Sequence, residues 1–493
     1  MIKQIVFLTI TLFLIVSCDR ENHQPETEKI FTVNVSEGTG AGTLHAAIRN
    51  ANMETMPCKI IFNKVTAITL KEELPEISCL VSIDGGKDGV TIDAGGKQRI
   101  FTIAMQNADL IPEVSLANLT LTGGYSGEDG GAIYVNSIYG VFSFNNCVFK
   151  NNKAKDSGGA IFSKSQISIY HCMFSGNESR WGGAIRVFYS QHLQVEHSLF
   201  EKNKAFSGGA IIVDSSTSIY ISDCIFSNNE AENIDEYGNS GRGGAIVTAN
   251  MLHIFNSLFV KNRTNGNGGA IDLNLSSHFV CMNSTFVENS ADGRGGAICT
   301  SMSRLESNPG LSFSNCTFFG NMSGSMGGAV FGHSCSFLNN IFTGNKVSDE
   351  STDYYHNILT GNRASPEATS DFFAEYLHMA YTIYDKFFVD EKRFVTGNVQ
   401  ATSFDVFGTD QPQLKDNILT VLSTGPANGL GRLPCLQLFH PEESFSYKDG
   451  GIWKKLYDGS EYTITEKDSI FTADQTGFLR PENNITAGAW QIR

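Results

Sequence analysis

The stretch EAENIDEYGNSGR, Glu230–Arg242, brings Glu230, Glu232, Asp235, Glu236, Tyr237 and Arg242 close together in sequence. Two carboxylates beside an aromatic ring suit glycosidic hydrolysis: one acid protonates the leaving oxygen and the other acts as base or nucleophile. Asp235 and Glu236 are the candidates for that pair. The same oxygens could alternatively bind Ca²⁺, although no cofactor is expected. The plainer reading, and the favoured one, is a solvated acidic loop. A β-eliminating lyase needs something different, namely a base beside a cation that neutralises a substrate carboxylate. Arg242 and Arg294, each before a Gly-Gly pair, are the candidates there, because they are expected on one face two coils apart, roughly 10 Å. Trp181, next to Arg180, precedes another such pair. With Tyr237 it is a candidate platform for a sugar ring, or else a cover for a corner. Asp84 and Asp93, in IDGG and IDAGG, read as turn residues bonding their own backbone. No G-x-S-x-G, H-E-x-x-H, P-loop or deaminase signature is present, and no C-x-x-C suggests a zinc ribbon.

What would position these residues is a repeat. Gly-Gly-Ala recurs at Gly130, Gly158, Gly182, Gly208, Gly243, Gly268, Gly295 and Gly327, at spacings of 28, 24, 26, 35, 25, 27 and 32 residues. Between the copies falls a second phrase ending Phe-x-x-Asn, as in CVFKNN from Cys147 or SLFEKN from Ser198. Self-similarity at this period marks a solenoid of stacked units. The longest spacing is the one that contains Glu230–Arg242.

The unit reads as β. In LSFSNCTF, Leu311 and Phe313 alternate with polar residues; then the parity shifts at Asn315, so that Cys316 and Phe318 carry the inward role. The shift residue in the other copies is Asn146, His171, His197, Asp223, Asn256, Asn283 or Asn339. Asn, Asp and His are the non-glycine residues that best tolerate positive φ. A one-residue corner is therefore expected there, which makes His171 and His197 structural. Gly-Gly marks another corner. Three short strands per turn, stacked at about 4.8 Å, predict an all-β, right-handed parallel β-helix solenoid. Phe149, Phe174, Phe200, Phe226, Phe259, Phe286, Phe318 and Phe342 should form one inner file, and Asn152 through Asn345 an amide ladder. Cys147, Cys172, Cys224 and Cys316 share a file with serines and Asn340, so they read as free packing thiols. A leucine-rich repeat would need a helical return, and segments such as Ser163–Gln166 are too short and polar for one. A propeller would need a longer period.

The GGAI and F-x-x-N phrases over 123–345 resemble the polymorphic outer membrane protein repeat of the pectin-lyase-like β-helix group. That resemblance implies the fold; the same scaffold carries lyases, hydrolases and adhesins, so it does not fix an activity. GTLHAAIRNAN, Gly42–Asn52, resembles the capping helix at the front of secreted bacterial β-helix proteins. Leu44, Ala47, Ile48 and Ala51 share its apolar face and Thr43 is its N-cap. Leu422–Gly431 and Asp474–Gln491 look like the closing segment of the same bacterial group.

The beginning of the chain has a different character. Lys3 and the apolar run Ile5–Val16 read as a signal peptide, too short to span a bilayer as a helix. The run ends IVSC, which resembles a bacterial lipobox with Cys18 as the lipidated residue. The early acids of the following polar tether resemble the export signal of some Bacteroidetes surface lipoproteins. Expected domains are thus 1–17 signal peptide, 18–30 tether, 31–345 β-helix, and 346–493 an irregular C-terminal region. That last region includes a helix expected over Ser365–Ala380.

A net charge of −15 argues against a nucleic-acid partner. The expected protein is lipid-anchored at the outer membrane through Cys18, where a polysaccharide or a cell-surface partner would be bound on one side of the rod. A polysaccharide lyase or glycoside hydrolase on the same scaffold is the other reading. An enzyme should show converging acids or a cation near a carboxylate, and a binding rod a flat polar face with scattered aromatics.

Overall fold

The computed structural model describes residues 28–105, 113–188, 192–214, 218–232, 240–273, 278–300 and 311–348, and the backbone of short strands between Phe372 and Ile470. One coil shows the plan. After the Gly182 corner come strands Ile185–Phe188, His192–Glu196, Leu199–Glu201 and Lys204–Ala205. Each pairs in parallel with its counterpart one coil on: Ile211–Asp214, Ser218–Ser222, Ile225–Ser227 and Glu230–Ala231. The first two segments of every coil join one long sheet, the third builds a second sheet, and the two-residue fourth a narrow third. The result is the right-handed parallel β-solenoid read from the repeat.

The corners explain why the chain can coil. Asn146, His171, His197, Asp223, Asn256, Asn283, Asn315 and Asn339 all have φ between 48° and 57°, as the parity shift predicts. The first glycine of each pair is also left-handed, for example 66° at Gly182. The second serves a close approach instead, since a Cβ on Gly183 would run into the carbonyl oxygens of Gly209 and Lys204. A third left-handed corner was not legible in the sequence. It sits just before each ladder asparagine, at Asn151, Gly176, Lys202, Asn228, Lys261, Glu288, Gly320 and Gly344. Lysine and glutamate have no special tolerance for that geometry. The strain, on the order of 1 kcal/mol or more per residue, is imposed by the asparagine that follows.

That asparagine is fixed by three hydrogen bonds and more. Asn203 donates from Nδ2 to the Phe174 carbonyl at 3.0 Å and to Asn229 Oδ1 at 2.9 Å, and its backbone N–H reaches the same Oδ1 at 3.1 Å. The pattern repeats from Asn152 to Asn345. Beside it the Phe file stacks face to face, with neighbouring centroids 4.5–4.8 Å apart and planes within 6°. The Cys/Ser file is a ladder too. The backbone N–H of Cys147 donates to Cys172 Sγ, that of Cys172 to Ser198 Oγ, that of Cys224 to Ser257 Oγ, and that of Cys316 to Asn340 Oδ1. The position needs a small side chain that can accept a hydrogen bond, a requirement more specific than size. The nine described cysteines are free and buried.

The front cap is the helix Leu44–Ala51, with Thr43 Oγ1 accepting from the Ala46 N–H at 3.2 Å. The first coil begins at Lys29–Val33, paired with Cys58–Phe62, so it takes in two residues assigned above to the tether. At the far end one expectation is corrected. Phe372–Ala380 is a strand, paired in parallel with Val330–Leu338, and the helix expected over Ser365–Ala380 does not form there. The open edge of the preceding coil offers a complete row of backbone partners, and Phe372, Phe373 and Tyr376 are good strand formers. The signal segment, Cys18, most of the tether and the closing segments at Leu422–Gly431 and Asp474–Gln491 lie outside the described residues.

Two tests follow from the ladders. Asn229→Ala leaves the Asn203 N–H, its Nδ2 and the Phe200 carbonyl without their partner. At about 1–3 kcal/mol per stranded buried group, the urea midpoint should fall well below that of Ser227→Ala, which should stay within about 0.5 kcal/mol of wild type. In addition, burial pushes the Cys79 thiol up to about 12 and raises Cys224 and Cys335 still further. Peptides carrying the nine cysteines should stay unlabelled by iodoacetamide in the native protein and label fully in denaturant.

Candidate functional site

Of the sequence candidates, Arg242, Arg294 and Trp181 lie among the described residues, each beside a Gly-Gly corner. Arg242 makes a bidentate pair with Asp272, Nε to Oδ2 at 2.7 Å and Nη2 to Oδ1 at 2.9 Å, and Asp272 is fully buried. Burial pushes the Asp272 carboxyl up to about 6, and Arg242 pulls against that shift. Arg294 lies over the Phe331 ring at 5.0 Å. The two arginines do fall in one file, since Arg242 bridges Asn267 and the Gly268 N–H donates to the Arg294 carbonyl. A ligand carboxylate would nevertheless have to displace Asp272 to use Arg242. Trp181 is half-buried, with its ring edge-on to Phe206 at 5.2 Å and the Arg180 guanidinium 5.5 Å from it. It covers a corner. Asp235, Glu236 and Tyr237 lie outside the described residues.

The remaining members of the acidic stretch belong to a charge ladder. On the narrow sheet Lys153, Glu178, Lys204, Glu230 and Arg263 occupy successive rungs of one file, alternating in sign. Ion pairs close at 2.7 Å for Lys153–Glu178 and 2.6 Å for Lys204–Glu230, and Glu232 pairs with Arg263 at 2.6 Å. Each exposed pair contributes about 1 kcal/mol or less. Their alternation opposes a slip of one coil, which would set like charges side by side. Asp84 and Asp93 are turn residues, each accepting the N–H two positions on at 2.8 Å. His171 and His197 stack at 4.9 Å as paired corners. Among the described residues no group of three His, Cys, Asp or Glu could hold a metal ion.

What the sequence reading missed is a face. On the long sheet the second strand of each coil turns alternate residues outward. Register places Gln194, Tyr220 and His253 in one file, and Tyr170, Glu196, Ser222 and Phe255 in the next. Tyr170, Gln194, Glu196, Tyr220, His253 and Phe255 are half-buried on the outward side of the sheet. Gln194 donates to Glu196 at 2.6 Å, and the Tyr220 and Phe255 rings lie 5.5 Å apart at 38°. Burial, then the Glu196 charge, raises both phenols, Tyr220 to about 12. They therefore remain hydrogen-bond donors at neutral pH. The sequence signal was available in QISIY, HLQVE, SIYIS and MLHIF: polar and aromatic residues at the positions opposite in parity to the core.

One half-buried acid lies away from that face. At the Gly130 corner, burial raises the Asp129 carboxyl, the Ser157 hydroxyl opposes the shift and Asp156 adds to it.

The described chain matches the family Right handed beta helix region over residues 81–252 and the Chlamydia polymorphic membrane protein repeat over residues 283–301. No curated protein matches the chain.

Removing one half of the buried pair tests its structural role. Arg242→Ala should cost about 3–5 kcal/mol, the penalty for a stranded buried charge, and adding Asp272→Ala should recover part of it. The Asp272 carboxyl is already raised above 3.8, so between its unfolded and folded pKa the unfolded chain has lost a proton the folded chain keeps. Stability through this group thus falls as pH rises across that window. Without Arg242 the folded pKa rises further, so the variant's deficit should be smaller at pH 5 than at pH 7.5 in chemical denaturation.

Proposed function

From the premise that the chain is a right-handed β-helix protein with repeats of the polymorphic membrane protein type, associated with outer-membrane proteins, we propose that it is a lipid-anchored envelope protein that binds extended glycans along its side. The observation that carries this reading is the flat outward face of Tyr170, Gln194, Glu196, Tyr220, His253 and Phe255. Half-buried aromatic rings give a sugar an apolar surface to stack on, while the phenols, Gln194 and Glu196 supply donors and acceptors for hydroxyls. Tyr170 and Tyr220 lie two coils apart, about 10 Å, so a ligand touching both must be extended. These six residues include one carboxylate and no arginine or lysine, which suits neutral sugars better than anionic ones. The lipobox at Cys18 supplies the anchor, and the tether after it holds the rod off the membrane.

The other reading, a polysaccharide lyase or glycoside hydrolase, rests on the paired carboxylates Asp235 and Glu236 of the acidic stretch.

The deciding experiment incubates the chain starting after Cys18 with a panel of plant and host polysaccharides. Retention on neutral glycan without new chain ends is the expected result. At about 0.5–1.5 kcal/mol per lost aromatic contact, Tyr220→Ala and Phe255→Ala should each weaken retention several-fold. New chain ends that vanish in Asp235→Ala or Glu236→Ala would replace binding by hydrolysis and locate its acid.

A further inference from the structure

The outer surface of the solenoid changes character along its length. On the second sheet, one outward file runs Lys150, Ser175, Glu201, Ser227, Val260, Val287, Phe319, from charged and polar to apolar. On the long sheet, Gln194, Tyr220 and His253 give way to Val280, and Tyr170, Glu196 and Phe255 to Met282. These late residues point away from the core by parity: their neighbours Phe279, Cys281, Phe286 and Phe318 form it, and they do not. Yet Val280, Met282, Leu338 and Ile341 are 0% exposed, Val287 4% and Phe319 6%. In these same files the residues of the earlier coils are half-exposed or exposed, apart from the small Ser168 and Ser222. A β-solenoid's outer side faces water unless another segment lies on it, so the last coils are covered on two sheets at once.

We infer that the cover is the chain's own C-terminal part, centred on the antiparallel four-stranded sheet formed by Leu433–Leu436, Phe445–Asp449, Ile452–Lys455 and Ser469–Ile470. Two observations point to it. Phe445–Asp449 lies against Val330–Leu338, the long strand of the last regular coil. The cross-strand pairs Leu436↔Phe445 and Pro434↔Tyr447 belong to one face of that sheet, and they are apolar or aromatic. This docking splits the rod into two parts. The later coils are a receptor for the C-terminal sheet, and the earlier coils keep the open outward face. The cover thereby sets where a ligand lying along the rod must stop, and it shields late apolar residues that would otherwise associate with other chains.

Methionines on both sides of the boundary report on this. Met251 and Met322 are 41% and 45% exposed, whereas Met282 is 0% exposed although it is outward-facing one coil from Met251. Hydrogen peroxide oxidises accessible thioethers to sulfoxides, and peptide mass spectrometry follows each one. In the chain starting after Cys18, Met282 should oxidise at least tenfold more slowly than Met251 and Met322. Introducing charge on the proposed docking face, F445D with Y447D, should bring Met282 to within a few-fold of Met251 and leave Met251 and Met322 unchanged. Iodoacetamide protection of Cys147, Cys172 and Cys224 in the same sample reports that the solenoid is still folded. If those thiols label, F445S alone is read instead. Met282 oxidising as fast as Met251 in the unsubstituted chain would overturn the cover itself. Met282 still protected in a folded F445D/Y447D variant would overturn its assignment to the C-terminal sheet.

Discussion

Everything in this solenoid hangs on a buried amide. Each ladder asparagine, 0% exposed from Asn152 through Asn321, must find partners for its carbonyl and its two N–H groups inside the protein. It finds them in the coil before, at a Phe carbonyl, and in the coil after, at the next Asn Oδ1. Because those partners belong to different coils, the bond sets the vertical spacing, the register and the corner geometry together. It also explains why residues as indifferent as Lys202 and Glu288 are held at positive φ: the preceding corner must deliver the amide to that point. The Phe stack sits at the same spacing and adds apolar burial, but it could slide; the amide ladder cannot.

Two further files refine that frame. The Cys/Ser file accepts the corner N–H groups with whatever small acceptor is present, sulfur or oxygen, which is why cysteine and serine interchange there. The alternating charges on the narrow sheet contribute little stability but oppose a displaced stacking. With the inside so constrained, variation is left to the outward positions and to the loops at the ends of strands. Any recognition by this rod belongs on those positions, and the contrast between an open early face and a covered late one is written there.

Three arginines, among them the sequence candidate Arg242, make hydrogen bonds at the corners. Arg99 donates to the Gly130 and Asp129 carbonyls, Arg186 ties Asp214 to Ser157, and Arg242 satisfies Asp272. Outward residues after the Gly-Gly pairs are overlaid by the corner of a neighbouring coil, so a buried carboxylate such as Asp272 requires its own cation. Arg242 meets that demand at the corner before Gly243.

The sequence by itself determined the coil. Period, parity shifts, Gly-Gly pairs and the Phe and Asn files were readable because each coil repeats the same local solution, and repetition makes a local pattern legible. The capping helix was readable for a similar reason, since its N-cap and apolar face lie within one short segment. Tertiary structure alone decided the rest. Whether Arg242 is available depends on Asp272, which lies in the next coil, and a face made of Tyr170, Glu196, Tyr220 and Phe255 exists only once separate coils are stacked in register. The strand at Phe372–Ala380 was misread as a helix for the same reason: its apolar spacing fits either element, and only the open edge of the coil before it supplies the backbone partners that select a strand.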